Sequence, residues 1–223
     1  MSDSIKHECG VAMRRLLKPL KYYQEKYGTS LYGLNKMYLL MEKQHNRGQD
    51  GVGLANIKLD VPAGKKYISR KRSTETNPIQ DVFKQVNRRF VELEASNPEK
   101  LKNPQWLKEN LPFTGELFLG HLRYGTFGEN TIEQCHPFLR QSNWKTRNLA
   151  LAGNFNMTNV DELFQQLVDL GKYERKFFFN SILPKCMVCV FTAIRSCRLY
   201  KSDAADQCRC CDVDSRLVLP PHR

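Results

Sequence analysis

Apolar residues fall along the chain in short, separable bursts, and their spacing predicts alternating strands and helices. Cys9-Gly10-Val11-Ala12-Met13 follows a polar leader and reads as a short buried strand. Over residues 30–46, Leu31, Leu34, Tyr38 and Met41 recur at spacings of three and four. That pattern predicts a helix capped by Ser30 and ended by Gly48. The run Gly51–Ile57 predicts a strand whose glycines permit close backbone approach. Residues 79–95 predict a second helix with Ile79, Val82, Phe83, Val86, Phe90 and Val91 on one face, stopped by Asn97-Pro98. Residues 98–112 read as a polar insert, helical or looped, and Glu116–His121 as a strand. Another strand, Leu149–Ala152, runs into a turn at Gly153-Asn154. After Thr158-Asn159, Val160–Leu170 reads as a helix with Leu163, Phe164 and Leu167 inward. Strands, then helices, then strands again, without repeats, predict an α+β or layered α/β fold.

The pattern breaks near Lys172. Beyond it come three consecutive phenylalanines (Phe177 to Phe179) and two cysteine clusters, with neither helical nor strand periodicity. Six of the eight cysteines (Cys186, Cys189, Cys197, Cys208, Cys210, Cys211) lie in the last 51 of 223 residues. Charge does not explain the break, because the tail carries 9 basic and 5 acidic residues, only +4 of the chain's +12. Two readings of the tail stand side by side. Cys186-x-x-Cys189 with Cys208-x-Cys210-Cys211 could offer four thiolates to zinc. Alternatively residues 173–223 are foreign to the fold, an out-of-frame or disordered end.

Hydrophobic residues at 41% and aromatics at 10% suffice for a core and exclude wholesale disorder. The length suits one domain, or one domain with an appendage. The positive charge admits acidic partners, but basic residues are scattered and do not interleave with aromatics, so no nucleic acid partner is expected. Residues 1–8 lack the apolar stretch of a signal peptide, and Phe177–Ile194 is interrupted by Asn180, Pro184 and Lys185. A cytoplasmic protein without a membrane partner is the expectation.

Candidate chemistry sits in four segments. Cys9 lies near the start of the chain, beside Gly10, which leaves room for a substrate. One cut would make it the terminus, and a terminal amine (ordinary pKa about 8) can serve as base to its own side-chain nucleophile. His45-Asn46-Arg47-Gly48-Gln49-Asp50-Gly51 gathers polar and cationic groups at a helix end. Gly120-His121-Leu122-Arg123-Tyr124-Gly125-Thr126 sets an arginine and a threonine at the C-terminal edge of a strand. Leu151-Ala152-Gly153-Asn154-Phe155-Asn156-Met157-Thr158-Asn159 holds an asparagine in a turn before a helix, where a side-chain and a backbone N–H can face one oxyanion. Singly, each has a plain structural alternative: a buried cysteine, a solvated helix-end charge at Arg47, an ion-paired Arg123, a turn asparagine.

Together and in this order, the four segments resemble the class II glutamine amidotransferase domain, a group of N-terminal-nucleophile hydrolases. Within it they are most similar to the glutaminase half of the amidophosphoribosyltransferase family of purine biosynthesis, through the Arg123-Tyr124 pair and the Asn156-x-Thr158-Asn159 ending. The resemblance covers about residues 5–171. It implies a four-layer αββα sandwich, with residues 1–8 as a propeptide-like leader, 9–172 as an incomplete glutaminase domain and 173–223 as an atypical tail. The stretch 57–115 then becomes an excursion beyond the minimal domain, its helix packed on the outside.

The resemblance also implies roles. Cys9 is the nucleophile that converts glutamine to glutamate and ammonia through a thioester; Asn154, with the N–H of Phe155, forms the oxyanion hole. Arg123 and Thr126 hold the substrate, and Arg47 and Gly48 flank the nucleophile. No metal or other cofactor is implied for this half; magnesium and phosphoribosyl diphosphate are expected only in a second domain, whose phosphate-loop pattern is not seen in this sequence. Glutamine is the expected partner, and the full-length enzyme is expected to be able to form homo-oligomers. Two departures stand out. Phe155 replaces a glycine common in the family, and the acidic segment that supplies a partner for the substrate ammonium has no clear match, Ser202-Asp203 being only a distant echo. The alternative function is a truncated, inactive amidotransferase-like module that binds zinc through its tail.

Overall fold

The computed structural model describes residues 8–125, 130–141 and 148–154, together with positions 162, 165, 166 and 169. The leader to residue 7, Thr126, Phe155 and every tail cysteine lie outside the described residues.

Four strands form one antiparallel sheet: β1 (Gly10–Arg15), β2 (Gly51–Ile57), β3 (Ile68–Ser73) and β4 (Leu117–Arg123), in the order β1-β4-β2-β3. Pairing places Ala12 opposite Gly120 and Leu54 opposite Gly120 from the other side, so β4 is the hub. Along β1 the side chains alternate, Gly10 and Ala12 buried, Val11 and Met13 exposed. This is the period-two signature of a sheet with two different faces.

Helices cover one face. α1 (Leu20–Tyr27) ends at Gly28, whose φ of 72° is the left-handed conformation glycine adopts without penalty. α2 (Tyr32–Glu42) lays Leu34, Met37 and Met41 over β1 and β4. α3 (Pro78–Ser96) lays Ile79, Val82, Phe83, Val86 and Phe90 over β2 and β3. These join Phe118, Leu122, Val52 and Leu54 in one apolar core. Gly120 is where the methionines come closest: a Cβ there would lie 2.5 Å from the Met37 methyl and 2.7 Å from the Met41 sulfur. The short helices α4 (Pro98–Leu101) and α5 (Pro104–Asn110) follow, the latter capped by the Asn103 side chain, which accepts from the Trp106 N–H at 3.0 Å.

A second, two-stranded antiparallel sheet pairs β5 (Phe138–Arg140) with β6 (Leu149–Leu151). The segment leading into it lies on the face of the large sheet opposite the helices: Arg70 donates to the Pro137 carbonyl at 3.2 Å, and Arg72 to those of Cys135 and Glu133 at 3.2 and 3.3 Å. The fold is therefore α+β with antiparallel sheets. Positions 162, 165, 166 and 169 are helical, where the predicted helix falls.

Several expectations change. Ser30 does not cap α2; its hydroxyl donates to Gln24, and the Leu31 N–H is taken by Thr29. The helix stops at Glu42, and a single 3-10 turn, His45–Arg47, follows. Gly48 is extended (φ −159°) rather than left-handed, so it is not a helix terminator. Val91 is 62% exposed, one step around the helix from the buried stripe. The 57–115 stretch is no mere excursion, because it supplies β3 and the helix that seals half the core.

At the end of the sheet where β2 leaves it, Asn56 and Glu116 are buried and paired. Asn56 donates to the Leu117 carbonyl at 3.0 Å and accepts from the Gly115 N–H at 2.8 Å. Glu116 bridges Lys108 (2.5 Å) and the Leu59 N–H (2.9 Å). Lys58 beside them is driven down to about 8, by burial first and by Lys108 second. Among the described residues no helix is long and apolar enough to cross a membrane.

Candidate active site

The opposite end of the sheet gathers the sequence motifs. Gly10 pairs with Leu122 and Gly51 with Arg123. Cys9 precedes Gly10 and Arg123 follows Leu122, so Cys9, Arg123 and Gly51 form one cross-strand row. Two residues opposite each other in an antiparallel pair share a face. For Cys9 and Arg123 it is the face away from the helices, shared with His121.

The turn after β4 is held from both sides. The Tyr124 N–H donates to Cys9 Sγ at 3.4 Å. The Gly125 N–H donates to the Asp50 carboxylate at 2.6 Å, and the Asp50 N–H to the Arg123 carbonyl at 3.1 Å. The Cys9 thiol in turn lies 3.8 Å from the Tyr124 carbonyl oxygen, so the sulfur is held by both backbone groups of that residue. Cys9 is partly exposed, the condition a reacting nucleophile needs.

Gly48 explains the arginine-glycine pair in its motif. A Cβ at Gly48 would lie 2.5 Å from the Leu122 carbonyl oxygen and 2.7 Å from the Arg123 carbonyl carbon. The 3-10 turn is thus pressed onto the end of β4, and only glycine fits there. Arg47 itself is exposed on that turn.

Arg123 is buried, and its guanidinium is set by two amide oxygens, Asn130 Oδ1 at 2.6 Å and Gln134 Oε1 at 2.5 Å. These bonds fix the planar fork, which suits bidentate recognition of a carboxylate. Cys135 is buried beside it, under Gly51, where a Cβ would lie 2.5 Å from its sulfur. Burial pushes the Cys135 thiol up, against the pull of Arg123 and Arg72.

Asn154 is exposed, directly after β6 and Gly153. Its turn is tied to the sheet by the Gly153 N–H, which donates to His136 Nδ1 at 3.2 Å. His136 in turn packs against His121 of β4, ring centroids 4.4 Å apart and planes tilted by 41°. Burial lowers His121 to about 4, the Gly153 backbone opposing and Arg123 assisting. Burial and then His121 lower His136 to about 3. Both rings are neutral at pH 7. The structure therefore sets Cys9 and Gly48 each against the backbone at the end of β4 that carries Arg123, and links Asn154 to the same strand through two histidines; Thr126 and Phe155 lie outside the described residues.

The roles of Asp50, Gln134 and His136 were not read from the sequence. Asp50 stood inside a recognised motif, but its partner is a backbone N–H 75 residues away. Among the described residues, no cluster of three or more His, Cys, Asp or Glu side chains is placed to hold a metal ion.

No protein-family model matches the chain. Curated proteins do. The amidophosphoribosyltransferase of Methanocaldococcus jannaschii is 32% identical over 130 residues, 58% of this chain and 21% of that protein. The chain resembles amidophosphoribosyltransferases. The Lacticaseibacillus casei enzyme is 27% identical over 134 residues, 60% of this chain and 53% of its own length. Amidophosphoribosyltransferase 3, chloroplastic, of Arabidopsis thaliana is 28% identical over 134 residues, 60% of this chain and 19% of its own. The chain thus spans about a fifth of the archaeal and plant relatives and about half of the bacterial one. Among solved structures, the B. subtilis glutamine phosphoribosylpyrophosphate amidotransferase aligns with 71% of this chain and 30% of its own, at 21% identity and a TM-score of 0.40.

Proposed function

We propose that residues 9–172 are a glutaminase domain of the class II amidotransferase type and that Cys9 is its nucleophile. The observation that carries this reading is the cross-strand row: Cys9 and Arg123 side by side on one face, with the Tyr124 N–H on the sulfur.

The chemistry follows from that arrangement. Hydrolysis of the Glu8–Cys9 peptide bond frees the Cys9 amine, which takes the thiol proton. The thiolate adds to the side-chain carbonyl carbon of glutamine, and the oxyanion is met by the Asn154 amide and the Phe155 N–H. Collapse breaks the C–N bond, the proton passes to the nitrogen, and ammonia leaves. Water then adds to the γ-glutamyl thioester, releasing glutamate and restoring the thiol. Arg123 and Thr126 orient the substrate through its α-carboxylate, and Arg47 and Gly48 shape the wall beside the sulfur. No metal or other cofactor enters these steps. The described helix layer, large sheet and small sheet are the first three layers of an αββα sandwich under this reading. A second half that uses ammonia on a sugar phosphate belongs to the longer relatives, and the proposal for this chain is confined to glutamine hydrolysis.

The test is glutamate release from glutamine by the purified chain, with intact mass reporting its first residue. A chain beginning at Cys9 that releases glutamate, and a Cys9→Ala variant reduced to background, support the reading. A folded chain that starts at Cys9 and releases none overturns it in favour of a non-catalytic module.

A further inference from the structure

Two buried histidines have no part in the reaction as derived so far. His121 is fully enclosed, and neither of its ring nitrogens has a hydrogen-bond partner among the described residues. Burying such groups unpaired costs about 1–3 kcal/mol, so the pair demands an explanation. The Gly153 backbone lies near both rings, and its N–H donates to His136 Nδ1 at 3.2 Å. An N–H donor requires an unprotonated Nδ1, which fixes His136 as the neutral tautomer with its proton on Nε2.

The surroundings keep that ring in place. Gly53 lies directly under the His136 carbonyl, so closely that a Cβ on Gly53 would overlap it. His121 packs at a tilt against one side of the ring and Phe138 meets it edge-on at 4.2 Å. An imidazole packed between two rings and a strand backbone cannot swing away from Gly153. The residue it anchors is the one immediately before Asn154.

We propose that His136 is a positioning residue: its Nδ1, braced by His121, sets the Gly153–Asn154 turn so that the Asn154 amide faces the oxyanion. This rests on the reading of Asn154 as an oxyanion donor. The bond does not touch the reacting atoms, so its loss acts on turnover through the geometry of Asn154, not on binding of the glutamine backbone groups.

The experiment compares kcat and KM for glutamine in the wild type, His136→Leu, His136→Asn and Asn154→Ala, each with its thermal midpoint. His136→Leu is expected to lower kcat about tenfold with KM within about twofold, less than the roughly 10²–10³ loss for Asn154→Ala. His136→Asn places an oxygen acceptor where Nδ1 was and is expected to recover most of that loss. Should His136→Leu fail to fold, ¹⁵N shifts of the His136 ring in the wild type decide: an acceptor Nδ1 supports the proposal, and a protonated Nδ1 overturns it. A folded His136→Leu with wild-type kcat, or a His136→Asn as slow as His136→Leu, overturns the positioning role while leaving the glutaminase reading intact. A matured wild type without glutaminase activity overturns both, and in that case the ring shifts still report whether the bond exists.

Discussion

The two faces of the four-stranded sheet obey different rules although they share every strand. On the helix side, Val52, Leu54, Phe118 and Leu122 meet methionines, phenylalanines and valines, and the contact is apolar throughout. On the other side, Arg72, His121, Arg123 and the glycines of β2 meet carbonyls, amides and imidazoles. Burial is equally deep on both sides at the centre of the sheet. What differs is directionality: the apolar face is held by area removed from water, and the polar face by bonds with defined donors and acceptors. The first tolerates repacking at constant volume; the second loses function with small displacements.

Acid is the strongest way to separate the faces. His121 and His136 stay neutral down to about 4 and about 3, against about 6.5 in the unfolded chain. The unfolded state therefore binds protons first as pH falls. Stability is full above about pH 6.5 and drops toward pH 4, by up to about 1.4 kcal/mol per pH unit for each histidine. Urea unfolding at pH 7, 6 and 5 measures this, and His136→Asn is expected to remove its share of the slope.

Truncation of the apolar face comes next. Phe118→Ala is expected to cost about 3–5 kcal/mol in urea unfolding, with unchanged glutamate release per folded molecule. Gly53→Ala is smaller, about 1–3 kcal/mol, because the new methyl must displace the His136 carbonyl. Unlike Phe118→Ala, it is also expected to lower kcat, since His136 moves with its carbonyl. Smallest is Met13→Ser. Met13 shares the polar face but lies 61% exposed beyond the reach of the small sheet, so a change within about 0.5 kcal/mol is expected. A large loss there would mean that the edge of this face is covered by another part of the protein.

What the sequence disclosed follows the same division. The apolar face was legible: the stripe from Ile79 to Phe90 and the strands at Gly51 and Glu116 announce themselves by period. β3 was not, because Ile68-Ser-Arg-Lys-Arg-Ser73 is mostly polar; its arginines are inward because carbonyls from residues 133–137 await them. α1 escaped because only Leu20 of its eight residues is buried. On the polar face, motif order pointed to Cys9, Arg123 and Asn154, yet adjacency depends on strand register and appears only when β1 meets β4. Gly48 was legible as a necessary glycine for the wrong reason, chain termination instead of contact with Leu122. His136 carried no signal at all, since its use depends on how closely Gly53 lets a second sheet approach.

β4 serves both faces at once, presenting Phe118, Gly120 and Leu122 one way and Leu119, His121 and Arg123 the other. Such a strand is a two-sided comb whose teeth cannot be renumbered. Deleting a single residue inside it would drive a guanidinium into the oily side and swing Leu122 toward the Cys9 sulfur. Lengthening the hairpin bend at residues 61–66 would leave both sets of teeth where they are. Point insertions scanned along the gene should therefore be refused throughout Leu117–Arg123 and accepted in the bend at residues 61–66.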